Sequence, residues 1–497
     1  MAHPVTIRFG TDGIRGVAGI FPLDPRTVTD IGRAIGQWLN AQPAQEAQQT
    51  ILLGRDTRPS GQLLAAALSA GLLQEGMTVL DAGITTTPAI AYLTRIYQAA
   101  LGIVISASHN PFDQNGIKLF GADGFKLSDA AEAEIEAKIA ALQADPPPQQ
   151  PPERFGRVSQ LPKGFAPHEE APAYLPDEQY LRYLLRDIDL SELSLVLDCA
   201  NGAAFQLAPE IFKRAGATVW ALNTRSDGYS INVEAGSEHV RRDRSALLAA
   251  IHGHSADLGL AFDGDADRVI CVAPDGSLID GDHMLGILAV HLKGCGLLAG
   301  ETVVATEMSN SGLADYLAAH EIMLSRTKVG DRYVMERLRE GGLTLGGEQA
   351  GHIIILDGDH GTGDGLYIGL LMAALAAERK RKGERGLSSL AAAIPRYPQV
   401  IASAHLQARV DLSTVEGLSE AVEAIHALFE HKGRVNLRFS GTEPNLLRAM
   451  VEGGAHNTLQ QVVEGALRLC HLVAAASGTT RPRIDVVDCV TGAPIQL

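Results

Sequence analysis

The chain has 497 residues, of which 46% are hydrophobic and 20% are charged, and its mean hydropathy is +0.05. These values are typical of a globular protein with about three to four domains, and they exclude a disordered or fibrous chain. Acidic residues outnumber lysines and arginines by 58 to 42, giving a net charge of −16. Broad nucleic-acid binding through a basic surface is therefore excluded.

Cysteine usage and hydropathy bear on the cellular compartment. The five cysteines are scattered and form no Cys-x-x-Cys pair, which argues against structural disulfides and a cysteine zinc site. Residues 1–8 lack the apolar segment of a signal peptide. The longest nearly apolar run, 366–377, is about half as long as a membrane span requires. We therefore expect a cytoplasmic protein that does not bind membranes.

Three segments of the chain share one plan. Beginning at Ile51, Leu195 and Thr302, each has a short apolar run, a polar or Gly-rich loop, an Ala/Leu-rich helical segment and a second apolar run. Each predicts a βαβ unit whose loops at the carboxyl ends of the strands are available for ligands. Their spacing is too long for a solenoid, so three similar domains are predicted. In the first unit, "TRPSG" predicts Ser60 as the cap of a helix beginning near Gly61; a phosphate turn is the alternative.

The plan changes after about residue 397. "LSEAVEAIHALFEHKG" predicts a helix, "RVNLRFSGTEPN" a strand and loop, "LLRAMVEGG" a strand and "NTLQQVVEGALRLCHLVAAA" a second helix, which together form a smaller α+β domain. The tail after Ala476 has no predicted role. The Pro-rich stretch 146–152, extending to about 173, predicts a stiff linker, with a polyproline-type ligand as the alternative.

Two loops contain groups suited to phosphoryl and metal chemistry. "ISASHNPFDQNGIK", residues 105–118, offers the hydroxyls of Ser106 and Ser108, and the residues alone do not decide which of them reacts. "AFDGDADR" spaces Asp263, Asp265 and Asp267 by two, so an extended backbone would point all three carboxylates to one side. Their repulsion favours a bound cation, and oxygen ligands favour Mg²⁺ or Ca²⁺. A solvated acidic turn is the alternative.

Two further loops suit a sugar phosphate. "RFSGTEPN", 438–445, combines a guanidinium, two hydroxyls and a glycine, which suits a phosphate, although Ser-Gly-Thr is also common in ordinary turns. "GEQAGH" supplies the Glu348 carboxylate for sugar hydroxyls and His352 for proton exchange, although a histidine in a Gly-rich loop is often structural. Arg268 beside the three aspartates could balance their charge or contact a phosphate.

Taken together, the motifs resemble the α-D-phosphohexomutases. The resemblance runs almost end to end, through "RFGTDGIRG", "SASHNPFDQNGIK", "DCANGA", "DGDADR", "KVGDRYV", "GEQAGH", "TGDG" and "RFSGTEPN". It implies an α/β protein of four domains around a central cleft, three of them similar mixed α/β domains and the last α+β. The predicted boundaries are 1–175 with the phosphoserine loop, 176–279 with the metal loop, 280–395 with the sugar loop and 396–497 with the phosphate loop.

The resemblance also implies a role for each site residue. Ser108 becomes the phosphorylated nucleophile, and Ser106 is scaffold. Acid and base assistance falls to Arg15, His109, Lys118 and His352, and the Mg²⁺ site to Ser108, Asp263, Asp265 and Asp267. Substrate binding falls to Arg268, Lys328, Gly330, Asp331, Glu348, Ala350, Arg438, Ser440, Gly441, Thr442 and Asn445. The family has serine where this chain has Ala350, and loss of one hydrogen bond costs about 0.5–1.5 kcal/mol, so Ala350 bears on sugar choice.

The implied activity is that of an isomerase. Within the family the chain leans towards the branch that interconverts glucosamine 6-phosphate and glucosamine 1-phosphate through a 1,6-bisphosphate of glucosamine or glucose, feeding UDP-N-acetylglucosamine and peptidoglycan precursor synthesis. The alternatives are a sister mutase acting on mannose or glucose phosphates, a catalytically silent sugar-phosphate-binding protein, and a phosphohydrolase-like enzyme. The expected cofactor is Mg²⁺, the expected ligands are sugar phosphates, and the expected assembly is a homodimer.

Overall fold

The first domain surrounds a six-stranded sheet. The computed structural model describes residues 7–10, 12–42, 49–144, 154–161, 178–358, 361–430, 432–440, 443 and 445–497, so the Pro-rich stretch 146–152 lies outside the described residues. In chain order the elements are β1 (Ile14–Val17), α1 (Pro25–Asn40), β2 (Thr50–Arg55), α2 (Gly61–Gln74), β3 (Thr78–Ile84), α3 (Thr87–Ile96), β4 (Leu101–Ile105), β5 (Gln114–Gly121), α4 (Asp129–Ala144) and β6 (Arg157–Gln160).

The predicted βαβ unit forms the centre of this sheet. The strand order is β1-β5-β4-β2-β3-β6, in which β2 runs parallel to β3 and β4, whereas β5 is antiparallel to β4 and β1. Arg55 and Ile105, the last residues of β2 and β4, are register partners. The loops that follow these two strands therefore leave the sheet side by side, and one of them contains Ser108.

The second domain repeats the unit. Its elements are α5 (Glu178–Leu185), β7 (Ser194–Asp198), α6 (Leu207–Arg214), β8 (Thr218–Leu222), α7 (Gly236–Arg242), α8 (Ser245–His254), β9 (Leu258–Phe262), β10 (Val269–Val272) and β11 (Leu278–Ile279). The order is β11-β10-β9-β7-β8, with β7 parallel to β8 and β9 and with β10 antiparallel to β9. The turn between β9 and β10 contains the three aspartates.

The third domain has the same core in a smaller sheet. Its elements are α9 (Gly281–Gly294), β12 (Thr302–Thr306), α10 (Ser311–Ala319), β13 (Met323–Thr327), α11 (Asp331–Gly341), β14 (Leu345–Gly347), β15 (Ile353–Ile355), α12 (Gly365–Arg381) and α13 (Leu387–Ala391). The order is β13-β12-β14-β15, with β12 parallel to both neighbours and β15 antiparallel to β14. The turn between β14 and β15 carries "GEQAGH".

The last domain is the predicted α+β unit, enlarged by the tail. Its elements are β16 (Gln399–His405), α14 (Leu418–Leu428), β17 (Arg434–Phe439), β18 (Leu446–Glu452), α15 (Leu459–Ala476), β19 (Arg483–Asp488) and β20 (Pro494–Ile495). The order β17-β18-β16-β19-β20 is antiparallel throughout. The tail, which had no predicted role, therefore supplies the two strands at one edge of this sheet.

A continuous apolar core joins the first three domains. α12 packs against β9 and β10 of the second domain, and α3 packs against α5. The largest buried hydrophobic cluster contains Leu52, Leu197 and Val303 from the three sheets. Within the part of the chain that the structure describes, no helix combines the length and apolarity that a membrane crossing needs.

A buried ion pair lies where the chain enters the last domain. The Arg396 guanidinium contacts the Asp280 carboxylate through Nη2 and Oδ2 at 2.5 Å and the Asp282 carboxylate through Nη1 and Oδ2 at 3.1 Å, and both acids are buried. Burial alone would raise the pKa of Asp280, but the charges of Arg396 and His283 outweigh it and hold that pKa below its usual value. Arg396 therefore neutralises two buried acids.

We expect Arg396→Met to lower the free energy of unfolding by about 3–5 kcal/mol near pH 7, because it leaves two buried carboxylates without their cation. In the wild type, the depressed pKa of Asp280 contributes stability above its unfolded pKa of about 4, and this is lost as the pH falls through the folded pKa. In the variant the pKa values of Asp280 and Asp282 in the folded state rise. Protonation of these carboxylates then restores part of the lost free energy of unfolding. The difference between the two proteins is therefore expected to shrink from about pH 7 to about pH 4.5, as measured by urea unfolding.

A matched control removes an arginine from a solvent-exposed pair. Arg381 contacts Asp189 at 3.4 Å, and their side chains are 42% and 65% exposed. Exposed pairs contribute little to stability, so Arg381→Met is expected to leave the unfolding curve nearly unchanged at both pH values. Equal losses for the two variants would contradict the assignment of a buried, mutually dependent charge cluster.

Candidate active site

The loop after β4 holds Ser108 in a constrained geometry. Ser108 is buried and has a φ of 54°, in the left-handed region. Its amide donates to Ser106 Oγ at 2.9 Å, and Ser106 Oγ donates to Asp56 Oδ2 at 2.7 Å. Ser108 Oγ instead faces the second domain and donates to Asp263 Oδ2 at 2.5 Å. The two hydroxyls therefore differ: that of Ser106 supports the loop, and that of Ser108 meets the carboxylates.

Arg58 holds this loop, which corrects the interpretation of "TRPSG". Helix α2 begins at Gly61 as predicted, but the Ser60 hydroxyl makes no capping bond and accepts from Asn115 Nδ2 at 2.9 Å. The buried Arg58 guanidinium donates to the carbonyls of Ser108 and Asn110 at 2.8 Å each, and to those of Pro111 and Gln114. The "TRPSG" segment therefore contacts the Ser108 loop through Arg58.

The second domain approaches the same carbonyls. Asn232 Nδ2 donates to Ser108 O at 2.9 Å and to Asn110 O at 3.1 Å. Gly264 lies so near that a Cβ on it would sit 2.5 Å from Ser108 O. Only glycine permits this approach of the aspartate turn to the serine loop.

Asp263, Asp265 and Asp267 converge, although not in the predicted way. The backbone between β9 and β10 is a turn with Ala266 at a φ of 58°, so the extended conformation under which the three carboxylates would share one side is not present. The turn nevertheless brings one oxygen of each carboxylate within 4.8 Å of the others, and all three are buried. The convergence comes from the turn and not from strand alternation.

The donor set fits a hard divalent cation. Burial, and then the charges of Asp267 and Asp265, raise the pKa of Asp263 well above its usual value. Asp265 Oδ1 and Asp267 Oδ1 are buried without a hydrogen-bond partner among the described residues. A Mg²⁺ ion takes up to six oxygen ligands and would satisfy these atoms while relieving the repulsion.

Lys118 lies beside the aspartates and is held as a cation. Its Nζ is 2.7 Å from Asp265 Oδ2, 3.0 Å from Asp12 Oδ2 and 3.4 Å from Asp267 Oδ2. Burial would lower the pKa of Lys118, but the three carboxylates raise it well above the usual value. In this arrangement the side chain can donate a proton or stabilise an anion, and it is not a free base.

His109 is the neutral neighbour of Ser108. Its Nδ1 lies 3.3 Å from Ser108 Oγ and 3.2 Å from an Arg268 guanidinium nitrogen. Burial, followed by the charge of Arg268, lowers the pKa of His109 to about 4. The imidazole is therefore uncharged near neutral pH, and Nδ1 can accept a hydrogen bond.

The third domain contributes the opposite wall. His352 lies between Asp267 and Asp331, with Nδ1 3.7 Å from Asp267 Oδ1 and Nε2 3.6 Å from Asp331 Oδ2. Burial opposes its charged form, but these carboxylates raise the pKa of His352 overall. Glu348 Oε1 accepts from the amide of Gly330 at 3.2 Å. Gly351 O accepts from Val269 N at 3.2 Å, which fixes this loop against the aspartate turn.

Of the remaining predicted residues, some join this cluster and others lie apart. Arg15 contacts Asp12, and Lys328 Nζ lies 5.9 Å above the Tyr333 ring. Ala350 is half-buried in the Glu348–His352 turn. In the last domain, Asn445 Nδ2 donates to Gln407 O, Ser440 Oγ accepts from Glu443 N, and burial followed by the charge of Arg448 lowers the pKa of Arg438. Gly441 and Thr442 lie outside the described residues.

Comparison with known families agrees with this geometry. Models described as phosphoglucomutase/phosphomannomutase α/β/α domains I, II and III match residues 6–145, 178–276 and 280–397, respectively. The chain belongs to the phosphoglucomutase/phosphomannomutase family. As a member of this family it has the three α/β/α domains and the C-terminal sheet domain described above.

Two relatives of this phosphohexomutase are similar over almost their whole length. The phosphoglucosamine mutase of Pelotomaculum thermopropionicum is 45% identical over 92% of this chain and 97% of its own. That of Nocardia farcinica is 43% identical over 89% and 94%. These similarities extend beyond the three domain matches, which end at residue 397.

Solved structures share the fold. A phosphoglucomutase/phosphomannomutase family protein from Burkholderia thailandensis has a TM-score of 0.73 and 24% identity, covering 94% of this chain and 98% of its own. The Aspergillus fumigatus N-acetylphosphoglucosamine mutase, in complex with GlcNAc-6P and magnesium, has a TM-score of 0.62 and 17% identity over 96% and 97%.

Several residues that contact the site of this phosphohexomutase were not predicted from its sequence. Asp12 accepts from Lys118 and Arg15, and Thr87 Oγ1 donates to Asp265 Oδ2 at 2.6 Å. Arg58 and Asn232 hold the serine loop. Asp12 lies within the quoted "RFGTDGIRG" and Thr87 follows two other threonines at a strand end, so motif membership and strand-end position were the available signals.

Proposed function

We propose that the chain interconverts glucosamine 6-phosphate and glucosamine 1-phosphate through a 1,6-bisphosphate, with Ser108 as the phosphoryl carrier. The observation that carries the proposal is the 2.5 Å hydrogen bond between Ser108 Oγ and Asp263, inside the cluster of three buried carboxylates. The amino-sugar substrate is supported by relatives at 40–45% identity that are named phosphoglucosamine mutase.

In the proposed reaction the Oγ–P bond of phosphorylated Ser108 breaks as the free sugar hydroxyl bonds to phosphorus. The hydroxyl proton leaves to a base, and Ser108 Oγ takes up a proton. After the bisphosphate turns, Ser108 Oγ loses that proton and bonds to the other phosphorus, whose bond to the sugar oxygen breaks, and the released sugar oxygen is protonated. Asp263, Asp265 and Asp267 would hold Mg²⁺, which when bound stabilises charge on the transferring group. The Lys118 ammonium, 2.7 Å from Asp265 Oδ2, is assigned to stabilise anionic oxygens of the transferring group.

Proton exchange is assigned to the histidines, with Arg15 stabilising anionic oxygens. His352 is buried between Asp267 and Asp331, and His109 Nδ1 is near Ser108 Oγ. The sugar is assigned to Glu348, Asp331, Lys328, Gly330, Ala350 and Arg268, and the non-reacting phosphate to Arg438, Ser440, Gly441, Thr442 and Asn445. Two phosphate positions are needed because the intermediate presents both ends in turn.

The test is a mutase assay on the Mg²⁺-loaded, phosphorylated protein with glucosamine 6-phosphate, mannose 6-phosphate and glucose 6-phosphate in parallel, scoring 1-phosphate and inorganic phosphate. Preference for the glucosamine compound supports the proposal. Preference for another sugar assigns the chain to a sister activity. Inorganic phosphate alone would indicate a hydrolase, and no product from any sugar would indicate a silent binding protein.

Ala350 gives a prediction about substrate affinity. Restoring the hydroxyl of the family pattern adds one hydrogen bond to the sugar, which contributes about 0.5–1.5 kcal/mol. Ala350→Ser is therefore expected to lower KM for the preferred sugar phosphate by about two- to tenfold while changing kcat little. Steady-state kinetics measure both constants. An unchanged KM for all three sugars would mean that residue 350 does not reach the substrate.

The remaining assignments are part of the same proposal. The domain boundaries 175/176, 279/280 and 395/396 would fall between the four sheets, and limited proteolysis tests them. A cytoplasmic location is supported by the five cysteines, all described and all free thiols. A homodimer is proposed and is measured by light scattering.

A further inference from the structure

Asp12 gathers three cations around one carboxylate. Its Oδ2 lies 3.0 Å from Lys118 Nζ and also contacts Arg15, while its Oδ1 lies 2.5 Å from Lys126 Nζ. Arg15 and Lys118 are assigned to catalysis above, whereas Lys126 has no assigned role. The two oxygens of Asp12 thus divide between the catalytic cations and Lys126.

Lys126 also reaches the third domain. Its Nζ lies 2.5 Å from Asp331 Oδ2, at the first residue of α11. The same Asp331 oxygen lies 3.6 Å from His352 Nε2, and the other ring nitrogen of His352 faces Asp267. The ammonium group therefore links Asp12, which contacts the catalytic cations of the first domain, to Asp331 on the sugar-binding wall of the third.

These contacts close a ring in which acidic and basic side chains alternate, called the ring of charges below. Its members in order are Asp12, Lys126, Asp331, His352, Asp267 and Lys118, which returns to Asp12 at 3.0 Å. The ring passes through all three α/β domains. The side chains of Lys126, Asp12 and Asp331 are only 15%, 20% and 14% exposed, so solvent does not readily replace a missing partner.

The backbone at Lys126 restricts its position. Residues 120 and 126 pair as an isolated antiparallel bridge, and Gly121 N donates to Phe125 O at 2.7 Å, closing the turn between them. The ammonium group therefore projects from a fixed hairpin end and not from a free loop. Because Lys126 Nζ lies between the two carboxylates, its position affects the distance between Asp331 and Asp12.

We propose that Lys126 is a positioning residue of the mutase, an inference that rests on the proposed function. By bridging Asp12 and Asp331, Lys126 sets the geometry between the catalytic cations Arg15 and Lys118 on one side and His352 and the sugar on the other. Lys126 does not touch the reacting atoms in this assignment. A misplacement of about 1 Å in such a geometry can cost about 100-fold in rate.

Lys126→Met tests the inference, because methionine keeps most of the side-chain length without the charge. We expect kcat to fall about 10- to 100-fold, KM to change less than kcat, and Mg²⁺ binding, titrated with the metal alone, to stay near the wild-type affinity. Lys126→Arg keeps the charge and is expected to recover part of kcat. If Lys126 acts through Asp331, the double variant Lys126→Met with Asp331→Asn is expected to lose no more kcat than the more severely impaired of the two single variants.

Arg339→Met is the matched control on α11. Arg339 also crosses to the first domain, to Asp123 at 3.8 Å and over the Phe125 ring at 4.3 Å, but its side chain is 53% exposed and, among the described residues, makes no ion pair with a member of the ring of charges. A positioning role predicts that this variant keeps kcat. An equal loss in both variants, or a loss in Lys126→Met matched by a proportional fall in Tm, would overturn it in favour of a general clamp between domains.

The wild-type assay separates this inference from the proposed function. A wild type without isomerase activity refutes the function, while coupling between Lys126 and Asp331 can still be measured as non-additivity in urea unfolding of the two single variants and the double variant. An active wild type with an equally active Lys126→Met, or fully additive unfolding changes, refutes the inference alone.

Discussion

Replacing Ser108 with alanine is expected to reduce turnover by roughly 10⁴-fold or more, since the variant loses the nucleophile that carries the phosphoryl group. Sugar-phosphate binding is expected to persist, because the groups assigned to bind the sugar and the distal phosphate lie outside the Ser108 loop, on the second, third and fourth domains. Initial rates measure the first effect and calorimetric titration with glucosamine 6-phosphate the second. Intact mass spectrometry should detect a phosphoryl group on the wild type and none on the variant.

Two companion variants make this result specific. Ser108→Gly is expected to be equally inactive and to fold without strain, because glycine adopts the φ of 54° observed at residue 108 at no cost. Ser106→Ala keeps the Ser108 hydroxyl and removes the hydrogen bonds of Ser106 Oγ to Asp56 and to the Ser108 amide, so it should be phosphorylated and retain more activity than Ser108→Ala. Substantial activity in Ser108→Ala would refute the phosphoserine mechanism.

The elements of the fold were predictable because they depend on local pattern. The apolar run, loop and Ala/Leu-rich segment that begin at Ile51 become β2 and α2, and the segments at Leu195 and Thr302 become β7 and β12 with their helices. The strands that begin the three units, β2, β7 and β12, are mostly buried, so the local apolar pattern was enough to predict them. The tail was different, since β19 joins the sheet by pairing with β16, a strand about eighty residues earlier in the chain.

The site was predictable to the extent that its motifs are contiguous. The reactive hydroxyl lies within "SASHNP" and the three carboxylates lie within "DGDADR". In the structure Ser108 Oγ is 2.5 Å from Asp263 Oδ2. Arg58 could not be assigned in this way, because its four carbonyl partners lie about fifty residues away and are reached only through the parallel pairing of β2 with β4. Lys126 likewise acquires its partner Asp331 across domains.

Local conformation accounts for the remaining error. The sequence argument for 263–267 was conditional on an extended backbone, whereas the chain reverses there so that β10 can pair antiparallel with β9. A spacing of two residues fits both a strand and a tight turn, and the pairing partner decides between them. The carboxylates converge in either conformation, so the prediction of a metal site does not depend on which backbone conformation forms.

Asp263→Asn is expected to separate the cost of the carboxylate cluster from its function. Without metal, burial and the charges of Asp267 and Asp265 raise the pKa of Asp263, so the ionised form is unfavourable in the folded state. A neutral amide removes this repulsion, and the variant is expected to unfold at a higher temperature than the wild type in chelator. Activity is expected to fall by roughly 10³-fold, because charge stabilisation at the transferring phosphoryl group is lost.

Addition of Mg²⁺ should reverse the order of stability. A wild type holding the ion gains about 2.7 kcal/mol when free metal exceeds Kd by 100-fold, whereas the variant has one ligand fewer and gains less. Asp275→Asn, which removes the same charge from an exposed turn of the same domain, is expected to follow the wild type in chelator and in Mg²⁺. If Asp263→Asn instead lowers Tm in chelator and gains as much from Mg²⁺ as the wild type, the Asp263 carboxylate is a structural acceptor for Ser108 Oγ and Arg268 N and is not a metal ligand.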